Sequence, residues 1–165
     1  MQSKNGDVLS LPARFGEAIG VFVLLLWLGF LAYHQIADTG FYTDEFGFLE
    51  MVCLYGPAIL ALIAPITRAV TGRRNPARPY EAFASMFQAA GAIWLLIVFP
   101  FDYAFLADAL PDPIRFVLSW VTDDIARIIF IIMIIASPIT AMTNLWRYLT
   151  FPRFSDREPT RTAKV

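Results

Sequence analysis

Residues 120–146 read WVTDDIARIIFIIMIIASPITAMTNLW, and this stretch decides the architecture. No charged side chain separates Arg127 from Arg147. An apolar run of about 20 residues is what a helix needs to cross a hydrocarbon core. The run is apolar on every side, so it lacks the single apolar stripe of a soluble amphipathic helix. It also lacks the strict alternation of a barrel strand. Thr122 is a good N-cap for a helix beginning at Asp123, and Asp123 and Asp124 then complement that helix's positive end. Arg127 can pair with either carboxylate at i+4 or i+3. Counting back from Arg147 puts these charges at a membrane edge.

The rest of the chain repeats the pattern. Besides 125–146, apolar spans are expected at about 15–37, 51–70 and 82–101. The first is too long for the roughly 7–15-residue apolar core of a secretory signal, so it reads as a retained span. Composition agrees: 58% of the 165 residues are hydrophobic and 16% charged, against about 45–50% and 25% in soluble domains. The expected fold class is an all-α integral membrane protein, a four-transmembrane-helix bundle. Residues 1–150 form one membrane domain and 151–165 a flexible cytoplasmic tail. The polar first ten residues are expected to be flexible as well.

Charge along the chain sets the expected orientation. The two termini and the loop between spans two and three hold eleven basic and five acidic residues, a net +6; the other side holds two against nine, a net −7. Basic flanks stay inside, so both the N- and the C-terminus are expected to be cytoplasmic, in the plasma membrane. The arginines of the inner loop fit topology and anionic lipid, and no nucleic-acid partner is expected. On the outer side, DYAFLADALPDPIRFVLSWVT (102–122) is too short to cross and too apolar to be freely solvated. It is expected to form an interfacial helical segment between helices 3 and 4, with a helix starting at Asp112-Pro113. A helix running unbroken from there to Leu149 would be about 55 Å long, so it is expected either to protrude or to break near Thr122.

Whole function classes fall away. Cys53 and His34 are each the only residue of their kind, so neither an intrachain disulfide, a bis-His haem nor an ordinary zinc site can be built from this chain. No cofactor and no metal are expected, and no catalytic constellation is present. Glu50, Asp102, Asp123 and Asp124, with Arg127, form a candidate outer carboxylate cluster, since all should stand near the outer edge. Gln88 and Thr140 should share a depth on antiparallel helices, which makes them a candidate interhelical hydrogen bond. His34 and Asp38, four apart, form a candidate pH-sensitive pair. Gly16 and Gly20 make a GxxxG pattern, and Ala82, Ser85, Ala89, Ala92, Ser137 and Ala141 continue a theme of small residues for close helix packing. The expected function is non-enzymatic: a small multi-pass subunit or partner in a membrane complex, or a homo-oligomer. The alternative is a cation- or proton-linked transporter or channel with an acidic outer vestibule.

Overall fold

In the computed structural model, which describes residues 7–150, four helical segments are long and apolar enough to cross a membrane. They are Leu11–Ile36, Phe48–Thr71, Asn75–Val98 and Asp123–Thr150. The expected tail, 151–165, lies outside the described residues. Helix α1 is Leu11–Ile36. The second crossing is divided into α2 (Phe48–Ala61) and α3 (Ile63–Thr71). Helix α4 is Arg78–Val98 and α5 is Asp123–Thr150.

The breaks follow local chemistry. Pro65 lacks an amide hydrogen and its ring crowds the carbonyl four residues back, which belongs to Ala61, the last residue of α2. Helix α4 stops three residues short of the expected boundary at 101. Phe99 turns left-handed at φ 47° and donates its amide to Leu95, and Pro100 follows. Helix α5 starts as expected: the Ile125 amide donates to Thr122 Oγ1 at 3.4 Å, with Asp123 and Asp124 in the first turn. The interfacial segment is two 3-10 stretches, Tyr103–Ala109 and Asp112–Val117. The helix begun at Asp112 ends at Val117 and α5 begins at Asp123, so the break covers 118–122, beside Thr122 as expected.

Helix α4 is the centre of the bundle, packed along α5 on one side and α2 on the other. Ala84, Ala89, Gly91, Ala92 and Leu95 form its buried face, and Ser137 and Ala141 are buried on α5. Two glycines let the backbones close up. A Cβ on Gly91 would stand 2.6 Å from the Cys53 carbonyl oxygen, and one on Gly56 2.7 Å from the Phe87 ring. Helix α1 is different. It leans on α3 at one end and on residues 103–109 at the other, and it hardly meets α5.

Each end of the bundle is tied by its own network. At the basic end, the Leu9 amide donates to Gly72 O and the Arg74 amide to Asp7 O. Asp7 Oδ1 also takes the Asn75 amide at 2.6 Å. Residues 7–9 are therefore paired with the loop after α3, not loose as expected. Arg14 Nε donates to the Ala69 carbonyl at 2.7 Å and Nη2 to Val70 at 3.1 Å, closing the end of α3. Arg68 stands between Glu17 of α1 and Glu81 of α4. Its Nε lies 2.8 Å from Glu17 but is not aligned for a hydrogen bond, whereas its Nη1 donates to Glu81. Glu17 is thus one of two carboxylates that Arg68 joins across helices.

At the acidic end, loops 37–47 and 99–103 zip together. The Asp102 amide donates to Phe41 O at 2.8 Å and the Thr43 amide to Pro100 O at 3.2 Å. Phe41, Phe101 and Phe130 are buried there, packed with Tyr42, Phe46, Phe99 and Tyr103. Ring pairs in such a cluster add about 0.5–1.5 kcal/mol each beyond their burial. Burial, aided by the hydrogen bond to Tyr55, holds the Tyr42 phenol above its usual pKa; burial and the charge of Asp123 do the same to Tyr103. Both rings stay protonated and neutral, as members of the aromatic cap that this cluster and its two loops form over the acidic end.

Candidate functional site

Three of the four expected carboxylates share one hollow at the acidic end. Asp102, Asp123 and Asp124 line an open hollow of about 590 Å³, joined by Asp108 and Arg115. Their first duties are structural. Asp102 Oδ1 accepts the Ala104 amide at 3.0 Å, capping the 3-10 stretch, and Asp123 Oδ1 accepts the Tyr103 amide at 3.0 Å. Arg115 faces Asp108 at 3.4 Å and Asp112 at 3.2 Å. Among the described residues no three His, Cys, Asp or Glu side chains converge as a metal would need.

Glu50 does not join them. It is buried, and its Oε1 accepts the Trp94 indole N–H at 2.9 Å while Oε2 accepts the Gly47 amide at 3.0 Å. It closes the start of α2 and ties that helix to α4. Arg127 also departs from expectation. Its guanidinium lies 3.7 Å from the centre of the Phe99 ring, a cation–π contact in place of a pair with Asp123 or Asp124. The left-handed turn at Phe99 brings the ring to it, which sequence spacing cannot foretell.

Gln88 and Thr140 do not bond each other. Gln88 Nε2 donates to Met133 Sδ at 3.3 Å, and Thr140 Oγ1 donates to Ala136 O one turn back in its own helix. Met133 stands seven residues before Thr140 on α5, about 10 Å along the axis, and Thr140 is exposed, so the register of α4 on α5 parts them.

His34 is engaged, though not by Asp38, which is exposed at a left-handed turn of φ 47°. The imidazole is 1% exposed. Nε2 lies 3.1 Å from the Leu106 carbonyl oxygen, and Nδ1 meets Thr39 Oγ1. A carbonyl only accepts, so Nε2 carries the hydrogen and Nδ1 accepts from the threonine hydroxyl. His34 therefore pins α1 to the cap. His34→Leu strands both partners and should cost about 2 kcal/mol, read by unfolding in mild detergent. Asp38→Asn should stay within about 0.5 kcal/mol, as exposed sites do; equal losses for the two variants would sink this assignment.

A second cavity lies within the bundle. About 470 Å³ in volume, it lies between the helices beneath the aromatic cap. Leu24, Trp27 and Leu31 of α1 face Ile129, Phe130 and Met133 of α5 across it, with α2 and α4 behind. It shares Tyr103 and Val121 with the acidic hollow. Asp108, Arg115, Trp94 and Gly91 are the residues here that sequence reasoning missed. Only Gly91 left a signal, in the run AAGA at 89–92.

The class defined so far is an all-helical protein with four segments able to span a membrane. No family model matches the chain, and comparison with curated proteins and with solved structures gives no match.

Proposed function

We propose that this chain is a non-enzymatic, multi-pass subunit of the plasma membrane, its basic end cytoplasmic, working with other membrane subunits or with further copies of itself. The observation that carries the reading is where the charges stand. No Asp, Glu, Lys or Arg occurs in 18–37, 51–67, 82–101 or 128–146, so the middle of every span is free of them. The charges at the span ends have local structural partners: Arg68 with Glu17 and Glu81, Arg14 on α3 carbonyls, Glu50 on Trp94. A pump or proton relay places ionisable groups within the membrane, whereas this pattern suits a scaffold. Helix α1 supplies the docking face. A Cβ on Gly16 or Gly20 would meet nothing within 4 Å, so the GxxxG surface is open to another helix.

Native mass spectrometry from mild detergent tests this. A defined assembly is expected, and Gly16→Leu/Gly20→Leu should dissolve it while the chain stays folded. A monomer in every mild detergent would overturn the reading. The second reading, a cation- or proton-linked transporter, is favoured by the acidic hollow at the bundle mouth. Proteoliposome flux that disappears with Asp102→Asn or Asp123→Asn would establish it instead.

A further inference from the structure

We propose that the cavity beneath the aromatic cap is a binding site for a single-chain amphiphile with a cationic head. The alkyl chain lies among α1, α2, α4 and α5, and the head lies in the adjoining acidic hollow. This goes beyond the subunit reading and does not depend on it.

Size and lining choose the chain. The cavity walls are apolar, and the Gln88 amide that reaches them already donates to Met133. Such walls offer mostly dispersion contacts and few polar partners, which suits hydrocarbon. One turn of helix, about 10 Å wide and 5.4 Å long, fills roughly 400 Å³. A cavity of about 470 Å³ therefore takes little more than a single turn, whereas a spanning helix needs five or six. A flexible chain fits where a partner helix does not. Entry is from the bilayer, through the side where α1 hardly meets α5.

Charge at the mouth chooses the head. Tyr103 and Val121 line both spaces, so the hollow adjoins the cavity, and the head sits there, across Tyr103 and Val121 from its chain. There it meets Asp102, Asp108, Asp123 and Asp124 against the single cation Arg115. The balance is negative, so a phosphate or sulfate head is repelled and an ammonium head attracted.

The test uses the full chain in lipid nanodiscs and a hexadecyl trimethylammonium probe carrying a photoactivated diazirine on its chain. Peptide mapping should place saturable labelling on cavity residues such as Cys53, Ala92 and Met133. Unlabelled hexadecyltrimethylammonium should compete about tenfold better than hexadecyl phosphate. Ala58→Phe, which fills the cavity, should cut labelling at least fivefold. Asp108→Asn/Asp124→Asn should reduce the preference for the cation while sparing chain binding, and it serves if Ala58→Phe unfolds. Labelling that is unsaturable or spread over the lipid-facing sides of α1 and α5 would overturn the proposal. Equal competition by the phosphate, or cross-linking of the cavity residues to another chain's helix, would overturn it as well.

Discussion

Replacing Arg68 by methionine should cost about 3 kcal/mol of stability, at the low end of the loss caused by removing one member of a buried ion pair. The guanidinium lies between Glu17 on α1 and Glu81 on α4, and its side chain is only 17% exposed. Methionine keeps the length and apolar contacts but leaves two carboxylates facing each other with no cation between them. The low end is chosen because both glutamates still see solvent, at 22% and 30%. Helix α1 is held to the bundle chiefly at its two ends, and this triad, with Arg14 on the α3 carbonyls, makes one of those two attachments. Unfolding in mild detergent should show the loss. Adding Glu17→Gln and Glu81→Gln should recover most of it, because the penalty is uncompensated charge rather than lost packing. An Arg68→Met protein that unfolds where the parent does would refute the account.

Gly91→Leu should be as damaging, costing about 3 kcal/mol or more, the upper range for overpacking. The atom in the way is the Cys53 carbonyl oxygen, 2.6 Å from where a Cβ would stand. Backbone cannot rotate aside as a side chain does, so α2 and α4 must part. Gly56 supplies the control. Its Cβ would meet the Phe87 ring at 2.7 Å, and a ring can turn. Alanine at either glycine gains the same helix propensity, about 1 kcal/mol, so comparing Gly91→Ala with Gly56→Ala isolates the clash. Gly91→Ala should unfold clearly earlier than Gly56→Ala. Indistinguishable midpoints would mean that the close approach of the two helices is not what Gly91 provides.

The sequence by itself determined which segments are helical and long enough to span. That property is local: lipid cannot hydrogen-bond a backbone, so an apolar run of sufficient length must be a helix, and WVTDDIAR carries its own cap in Thr122. It determined equally that one end is basic and the other acidic. Only the tertiary structure decided partners. His34 took Leu106 and Thr39 instead of Asp38, Glu50 took Trp94 and left the other carboxylates, and Thr140 turned away from Gln88. A helix that is apolar all round does not announce which side or which register meets its neighbours, so counting from the span ends does not pick out the pairs that touch. The cavity is hidden for the same reason. It exists because α1 is fixed at its two ends and stands off α5 between them, a spacing set by the triad at Arg68 and the pin at His34 rather than by any one stretch of sequence.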